Sequence, residues 1–381
     1  MIKKYEINLG ATSSVRQGVL ALGGHLKSSV CLGKGKSAEM LEFPGNLDEI
    51  ETIKSFETEV KRLVKLENPR IIACDLHPEY LSTKLAESYK LSRKLIKVQH
   101  HHAHIASCMA DNGVKEKVIG VAFDGTGLGT DGNIWGGEFL IAGYKDFKRA
   151  AHFEYIQMPG GETAIRQPWR MACSYLYKIF GNDFFKLDID FVKKIDKNKW
   201  KVLRQMIDSK VNCPMTSSAG RLFDAVSALC GIRSEVEYEA QAAIELEKKI
   251  KGHETGAYGY RIIKKDKQYV VIFDIMFKEI IKDLKAKVDI GTIAQKFHNT
   301  IAAVSVDVCK RISRAVKIDA VCLSGGVFQN KYLLGKTVEL LRRENFKVYT
   351  HKKVPTNDLG ISLGQVVIAN NNDKIQIPKS K

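Results

Sequence analysis

The sequence predicts an α/β protein of two lobes with mixed sheets and flanking helices. Strand-like and helix-like segments alternate along the chain, which is the pattern of an α/β fold. Glycine-rich turns follow predicted strands at three separate places, namely ALGGHLK, FDGTGLGTDG and LSGGVFQN. The length of 381 residues exceeds the usual size of a single hydrophobic core. We therefore expect two lobes, with glycine turns in both halves of the chain.

The first half of the chain begins with a β-hairpin and ends in a histidine-rich helix. Apolar strands on either side of Gly23-Gly24 predict the hairpin, and apolar residues at helical spacing predict a helix over 50–66. Buried strands are predicted at RIIACDLHP and KLIKVQ. The second of these leads into HHAHIASCMADNG, a predicted helix that stops at Asn112-Gly113.

A second hairpin, KVIGVAFDGTGLGTDGNIWGGEFLIAGY, encloses the second glycine turn. Residues 165–255 are predicted to be mainly helical, and a long helix is predicted over 291–314 after the strand YVVIFDIMF. The segment DAVCLSGGVFQNKYLLGKTVELL predicts a strand, a Gly-Gly turn and a helix. A short strand (KVYT), the loop VPTNDLG and a helix to about residue 370 follow.

Composition argues against several classes of protein. No run of about 18 apolar residues occurs and the N-terminus has no secretory signal, so we expect a cytoplasmic protein without a membrane span. The eight cysteines form no C-x-x-C pair, which argues against a cysteine-bound zinc site. The net charge of +17 permits nucleic acid or an acidic protein as partner. Because the lysines lack interleaved aromatic residues, a solvated surface explains them better.

The glycine turns are candidates for phosphate binding, since backbone N–H groups approach a phosphate closely where no Cβ intervenes. A plain hairpin turn explains any one of them, but three in both halves indicate two lobes closing on one nucleotide. No P-loop sequence occurs, and GTGLGTDG opens a strand instead of the helix of a dinucleotide fingerprint. Asp224, at the start of an apolar helix, is a candidate for ribose hydroxyls or an acid favoured by the helix dipole.

His100 and His104 leave the same helix face about one turn apart. That spacing lets two imidazoles reach one metal ion, although it also arises by chance on a helix surface. The helix follows a buried strand, so its start is expected at the carboxyl edge of the sheet, where α/β proteins bind ligands. His101 and His102 point elsewhere on the helix and stay unassigned.

Asp124, directly after VIGVAF, and Asp358, before the last helix, are candidate oxygen ligands for the same metal. Two imidazoles with one or two carboxylates suit Fe(II) or Zn(II), and the residues do not distinguish the two metals. Arg166 and Arg170, in AIRQPWRMA, are candidates for positioning a substrate anion such as phosphate, with surface salt bridges as the equal alternative.

Seven motifs follow one another along the chain: LALGGHLKSSVCL, VQHHHAHIAS, FDGTGLGTDGNIWGGEFL, MPGGETAIRQPWRMA, TSSAGRLFDAVSAL, YEAQAAIELE and LSGGVFQNKYLL. Together they resemble the C-terminal half of the HypF family, the carbamoyltransferases of NiFe-hydrogenase maturation, over roughly residues 16–370. The resemblance implies the two-lobed actin-like ATPase (ASKHA) fold of sugar kinases and Hsp70 chaperones, with nucleotide and metal in the cleft between the lobes. We divide the chain accordingly into an N-terminal extension (1–15), a first lobe (16–145), a second lobe with a helical insertion (146–370) and a frayed tail (371–381). The last helix is expected to return to the first lobe.

The resemblance also implies a reaction: the carbamoyl group of carbamoyl-adenylate passes to the C-terminal cysteine of HypE and later becomes a cyanide ligand of iron. It implies the metal ligands His100, His104, Asp358 and Asp124, and the ATP or AMP moiety of the adenylate as cofactor, with Mg²⁺ left open. The residues implied for nucleotide or adenylate binding are Gly23, Gly24, Lys27, Asp124, Gly125, Thr126, Gly127, Ser217, Gly220, Asp224, Gly325, Gly326 and Asn330.

Full-length HypF proteins carry acylphosphatase, zinc-finger and YrdC-like adenylate-forming domains upstream, which this sequence lacks. A separate YrdC-like protein or domain is therefore an expected partner. The tRNA threonylcarbamoyladenosine transferases share the fold, but TSSAG and Asp124-Gly125-Thr126 depart from their pattern, so tRNA is a disfavoured partner. A small-molecule O-carbamoyltransferase and a non-catalytic nucleotide-binding scaffold stay open. A sugar kinase is the weakest alternative, because phosphoryl transfer in that fold needs no histidine pair.

Overall fold

The computed structural model describes residues 2–10, 15–252 and 254–372. The strands are β1 (Lys3–Asn8), β2 (Val15–Ala21), β3 (Ser29–Gly35), β4 (Ser37–Glu42), β5 (Ile71–Asp75), β6 (Lys94–Val98), β7 (Val118–Leu128), β8 (Ile134–Ala142), β9 (Phe147–Phe153), β10 (Ile156–Gln157), β11 (Met215–Thr216), β12 (Arg261–Lys265), β13 (Gln268–Ile272), β14 (Ala320–Ser324) and β15 (Lys347–Tyr349).

The α-helices are α1 (Ile50–Glu67), α2 (Leu81–Ser88), α3 (His100–Asn112), α4 (Glu162–Arg166), α5 (Pro168–Phe180), α6 (Asp190–Lys193), α7 (Lys197–Ser209), α8 (Ala219–Leu229), α9 (Gln241–Lys248), α10 (Asp274–Lys285), α11 (Ile290–Val316), α12 (Lys331–Arg343) and α13 (Ile361–Asn371). Short 3-10 helices lie at Gly181–Lys186, Gly326–Gln329 and Asp358–Gly360. No helix in the described ranges is long and apolar enough to cross a bilayer.

The first sheet has six strands within the described residues, in the order β1-β4-β3-β2-β5-β6. β2, β5 and β6 run parallel, and the other neighbours are antiparallel. β5 is buried at every position, as expected of an inner strand covered on both faces. Because parallel strands end at the same edge, the turn after β2, Asp75 in β5 and the start of α3 lie together.

The second sheet follows the order β12-β13-β9-β8-β7-β14-β15, with β10 and β11 beside β8. β7 and β8 form the predicted second hairpin, whose register shifts between Phe123 and Gly127. β14 runs parallel to β7 and places Ser324 opposite Ala122. The glycine turns that follow these two strands therefore meet at one sheet edge.

Two buried helices, α3 and α13, lie between the sheets. α3 contacts β7, β8 and β14, while α13 contacts β2, β3 and β5. The two helices pack so closely that a Cβ at Gly364 would overlap the carbonyl oxygen of Ala103. Their apolar side chains share one core with residues of both sheets. A larger core covers the opposite face of the second sheet under α5, α8 and α11.

The strand pairing differs from the predicted division into segments. Lys3–Asn8, predicted as an extension, forms β1 and pairs with β4. β7 and β8, predicted in the first lobe, belong to the second sheet, because β7 pairs with β14 some 200 residues later in the chain. In the segment YVVIFDIMF, predicted as a strand, only residues 269–272 belong to β13, because α10 begins at Asp274. Residues 373–381 of the predicted tail lie outside the described residues.

Candidate metal and nucleotide site

Side chains from distant parts of the chain form a cluster of candidate metal ligands. One ligand atom from each of His100, His104, Asp124 and Asp358 lies within 4.8 Å of the others. The Nε2 atoms of His100 and His104 lie 3.2 Å and 3.0 Å from the same Asp124 Oδ2. They lie 3.7 Å and 3.5 Å from Asp358 Oδ1. Two imidazoles and two carboxylates thus face a common point. We call these four residues the metal cluster.

Local sequence places each of these ligands. α3 begins at His100 because the Gln99 side chain caps it, accepting a hydrogen bond from a first-turn N–H at 2.8 Å. His100 and His104 therefore stand one turn apart on the side of α3 that faces the cluster. Asp124 lies in the irregular stretch of β7, and Asp358 opens the 3-10 turn before α13.

The buried groups of the metal cluster hold one another in their ionised forms. Burial would raise the pKa of Asp124, but hydrogen bonds from His100 and His104 hold it well below its usual range. Burial opposes charge on His100, yet the carboxylates of Asp75 and Asp358 raise its imidazole pKa well above the ordinary value. Because a divalent cation can replace the imidazole protons between these nitrogens and oxygens, the donor set fits a metal ion.

The other ring nitrogens of the two histidines have different partners. His100 Nδ1 lies 2.8 Å from Oδ2 of Asp75, which is fully buried at the end of β5. His104 Nδ1 lies 3.4 Å from the Ser324 hydroxyl, which lies 2.8 Å from Nε2 of His351. Contacts of this kind fix the tautomer and the ring orientation of metal-binding histidines.

Sequence reasoning did not identify Asp75, Ser324 or His351 as site residues. Asp75 had a usable signal, because it ends the buried strand IIACD much as Asp124 follows VIGVAF. Ser324 had a similar signal, because it ends the buried strand AVCLS before the third glycine turn, whereas His351 had none, since its position depends on the pairing of β15 with β14.

His101 and His102 do not belong to the metal cluster, and both are buried. His102 Nε2 lies 2.7 Å from the Gly143 carbonyl oxygen, and burial lowers the pKa of its imidazole to about 4. His101 Nδ1 lies 3.1 Å from Gln99 Nε2, and burial lowers its pKa to about 3. Both rings are neutral parts of the packing around α3.

Asp124 also joins two of the three glycine turns. Its Oδ1 accepts hydrogen bonds from the N–H groups of Gly125 at 2.8 Å and Gly326 at 3.1 Å. Gly325 has a φ of 103°, and a Cβ there would overlap the Phe123 carbonyl oxygen, so this contact requires glycine. Two N–H groups predicted to hold phosphate are therefore bound to the protein's own carboxylate.

The first glycine turn keeps a donor beside the metal cluster. Gly23 is held by the Gln365 amide, which bonds its N–H at 2.9 Å and its carbonyl at 3.0 Å. A Cβ on Gly24 would lie 3.6 Å from Asp358 Oδ2. Within the part of the chain that the structure describes, the Gly24 N–H makes no hydrogen bond. It is thus available to a phosphate or acyl oxygen.

The loop after Asp124 packs tightly against its surroundings. A Cβ on Gly127 would lie 2.6 Å from His101 Cε1, and one on Gly220 would lie 2.9 Å from the Gly125 Cα. Thr126, between the two loop glycines, is partly buried. These predicted nucleotide-binding glycines allow close contact between α3, α8 and the hairpin loop.

Ser217 faces a buried ion pair. Its hydroxyl donates to Glu138 Oε1 at 2.6 Å and lies 3.2 Å from a guanidinium nitrogen of Arg149. Arg149 Nε donates to Glu138 Oε2 at 2.6 Å, and the Glu138 side chain has no exposed surface. Arg149 also reaches Asp131 at 3.4 Å, so its charge is bound on two sides.

Asp224 and Asn330 also have protein partners. The Asp224 carboxylate lies 2.7 Å from Arg221 Nε, and burial raises its pKa in spite of this pairing. The Asn330 side chain accepts from Leu333 N–H, which caps α12, and its amide nitrogen lies 2.8 Å from His298 Nε2.

The three basic residues that were predicted to bind or position a ligand lie in different surroundings. Lys27 Nζ lies 3.0 Å from Glu239 Oε2, which belongs to the second half of the chain. Burial lowers the pKa of Lys27, but Glu239 and then Asp358 outweigh it and raise this pKa above its usual value. Arg170 donates to Gln167 at 2.6 Å, and the structure shows no contact of Arg166 or Arg170 with the metal cluster.

Two family descriptions match nearly the whole chain. "HypF Kae1-like domain" matches residues 14–111, and "Carbamoyltransferase, Kae1-like Domain, second subdomain" matches residues 120–365. The chain belongs to the HypF carbamoyltransferase family. Carbamoyltransferase HypF of Synechocystis sp. is 37% identical over 367 residues, which cover 92% of this chain and 46% of that protein. The chain thus spans about half the length of this HypF.

A shorter relative is matched over most of its length. The "Carbamoyltransferase HypF homolog" of Cupriavidus necator is 32% identical over 365 residues, which cover 92% of this chain and 91% of the homolog. The crystal structure of full-length HypF in the phosphate- and nucleotide-bound form superimposes with a TM-score of 0.90 at 42% identity, covering 96% of this chain and 56% of that chain. The predicted two-lobed actin-like ATPase fold with mixed sheets is therefore confirmed.

Proposed function

We propose that this protein is a metal-dependent carbamoyltransferase that passes the carbamoyl group of carbamoyl-adenylate to the C-terminal cysteine of HypE, in the maturation of the cyanide ligands of NiFe-hydrogenase. The observation that carries this proposal is the metal cluster itself, with ligand atoms within 4.8 Å beside the glycine turns of a HypF-family cleft. We further propose that its ligands are His100, His104, Asp124 and Asp358, holding Fe(II) or Zn(II).

Each residue of the cleft has a distinct proposed role. A metal ion held by the cluster would supply Lewis acidity at the oxygen that gains charge during transfer. The Gly24 N–H and the protonated Lys27 side chain, which lie beside Asp358, bind and orient the phosphate of the adenylate. Asp124 holds the turns of Gly125 and Gly326, which belong to neighbouring strands of the second sheet, in contact beside the metal cluster.

The attacking thiolate comes from the acceptor protein. All eight cysteines of this chain are buried. Burial raises the pKa of Cys213 to about 11 and that of Cys230 to about 12, which disfavours the nucleophilic thiolate. When the acceptor thiolate attacks, a carbon–sulfur bond forms, the carbon–oxygen bond to phosphate breaks, and the electron pair leaves with AMP.

We propose that carbamoyl-adenylate is supplied by a YrdC-like protein or domain. Full-length HypF relatives have about half of their length outside the span that this chain matches. We assign the formation of the adenylate to that other part or to a separate partner, because the metal cluster of this chain serves the proposed transfer step.

The test combines purified protein, synthetic carbamoyl-adenylate, metal and HypE. Mass spectrometry should show the mass of one carbamoyl group added to the terminal cysteine of HypE. A His100→Ala, His104→Ala variant should lose metal and transfer, whereas His102→Gln, changed on the same helix outside the cluster, should keep both.

A wild-type protein that binds metal and adenylate but transfers nothing to HypE would contradict the proposed acceptor. Salt-sensitive binding and carbamoylation of tRNA would then favour the nucleic-acid alternative. Complex formation with HypE that depends on His100 and His104 without any transfer would favour the scaffold.

A further inference from the structure

The segment from Asp75 to Tyr80 lies beside the metal cluster. Its first residue, Asp75, contacts His100 at 2.8 Å. Asp75 Oδ1 accepts the His77 N–H at 2.9 Å, and His77 Nδ1 accepts the Glu79 N–H at 3.2 Å. The turn is thus braced by two internal hydrogen bonds, and it leads into α2.

Tyr80 at the end of this turn is held between two imidazoles. Its ring stacks on His77 at a centroid distance of 4.3 Å and on His25 at 5.3 Å, with interplanar angles of 10° and 12°. His25 follows Gly24 in the first glycine turn, and Ser82 Oγ donates to the Gly24 carbonyl at 2.7 Å. The ring therefore joins the Asp75 segment to the turn that contacts Asp358.

The Tyr80 hydroxyl is an unused donor in this position. Within the described residues it has no hydrogen-bond partner, and the side chain is partly buried. Burial raises the pKa of the phenol, and the charges of His100, Asp75, Asp358 and Asp124 all act on it. The hydroxyl is thus protonated, and its ring lies between the Asp75 segment, which contacts His100, and the first glycine turn.

We propose that the Tyr80 hydroxyl donates a hydrogen bond to the carbonyl oxygen of the transferred carbamoyl group. This inference rests on the proposed function. As the carbon–sulfur bond forms and the bond to phosphate breaks, negative charge develops on that carbonyl oxygen, and a fixed donor stabilises it. The phenol keeps its proton throughout, because the departing electron pair goes to AMP.

The matched pair of variants is Tyr80→Phe and Tyr260→Phe. Tyr80→Phe keeps the stacked ring and removes only the hydroxyl. Tyr260→Phe removes a phenol that donates to Asp307 at 2.7 Å in the second lobe. We expect Tyr80→Phe to lower kcat about 100-fold, the usual cost of one donor to a developing oxyanion. Metal content and thermal midpoint should stay at wild-type values, and Tyr260→Phe should transfer at the wild-type rate.

A binding measurement decides the role of Tyr80 separately from the reaction. The probes are AMP and a non-reactive carbamoyl-adenylate analogue with nitrogen in place of the oxygen that bridges carbon and phosphorus. Loss of one hydrogen bond should weaken the analogue about fivefold in Tyr80→Phe and leave AMP binding unchanged.

The outcomes separate the two proposals. A wild type that binds the analogue but carbamoylates no thiol would end the proposed function, while the analogue still reports on Tyr80. Equal weakening of AMP and analogue would assign Tyr80 to the nucleotide phosphate and overturn this inference. So would unchanged binding with unchanged kcat, failure of the analogue to bind the wild type, or a loss of metal that accounts for the lost transfer.

Discussion

The metal cluster and the polar residues of the second lobe use similar side chains in different ways. In the metal cluster, the Nε2 atoms of His100 and His104 and two carboxylates converge on one point. In the second lobe, the carboxylate of Asp224 and the amide nitrogen of Asn330 each face a single protein partner, Arg221 and His298. The two regions differ in the convergence of several ligand atoms, which a metal ion requires, and not in the kind of side chain they use.

Removal of the buried negative charge of Glu138, which contacts Ser217, should have the largest effect. The affected quantity should be the stability of the fold. Glu138→Gln leaves the Arg149 guanidinium buried without its main counterion, so we expect the free energy of unfolding to fall by about 3 kcal/mol. Urea denaturation measures the change, and metal affinity of the folded variant should stay constant.

The matched control is Glu67→Gln, which removes a surface partner of Lys34 and should cost less than about 1 kcal/mol. Arg149 also contacts Asp131 and the Tyr155 hydroxyl. Equal stability of Glu138→Gln and wild type would show that these two contacts are enough to stabilise the buried guanidinium. The ion pair of Glu138 and Arg149 would then contribute no more to the free energy of unfolding than the metal cluster does.

Removal of the negative charge beside His100 should have a smaller effect, and it should be on metal binding. Asp75→Asn keeps the shape of the side chain but no longer favours the tautomer that presents Nε2 to the metal. We expect the metal dissociation constant to rise about 10- to 100-fold in a chelator competition.

Asp146→Asn, at an exposed carboxylate paired with Lys117, serves as its control and should bind metal like the wild type. Wild-type affinity in Asp75→Asn would mean that ring packing alone orients His100.

The smallest expected effect is a pH dependence in the second lobe. His298 Nδ1 contacts the Ala294 carbonyl oxygen at 2.7 Å, and burial lowers the pKa of this imidazole from 6.5 to about 4. As pH falls, His298 therefore takes up its proton in the unfolded chain before it does so in the folded protein. The contribution of the neutral imidazole to the free energy of unfolding is complete above pH 6.5 and is lost as the pH falls toward 4. Between about pH 7 and pH 6 this loss amounts to about 0.7 kcal/mol.

His298→Gln should reduce the slope of unfolding free energy against pH by this amount, measured by urea denaturation, while the buried imidazoles of His101 and His102 keep their own share of the slope. A variant that loses stability with the wild-type slope would place the titrating group elsewhere.

Local patterns predicted the elements that build the cluster. The four-residue spacing of His100 and His104 and the acid at the end of a buried strand, Asp124, depend on short stretches of chain. The structure brings these residues and Asp358 together. The alternation of strands and helices likewise predicted the α/β class, which the sheets confirm.

Long-range pairing limited the rest of the prediction. Strand β7 pairs with β14, which lies about 200 residues later, and no local pattern records that choice. The same pairing positions Ser324 behind His104. The partners of Asp224 and Asn330 were equally hidden, because which side chain reaches a neighbour depends on how the helices pack.

The close contact between α3 and α13, at Ala103 and Gly364, has a consequence for synthesis of the protein. A ribosome releases the two histidines and Asp124 long before it makes Asp358 and the helix that covers α3. The emerging chain therefore holds three of the four proposed ligands for more than 230 residues of translation without the fourth, since Asp124 and Asp358 are that far apart. Assembly of the proposed metal site is thus a late event, which follows the docking of the last helix.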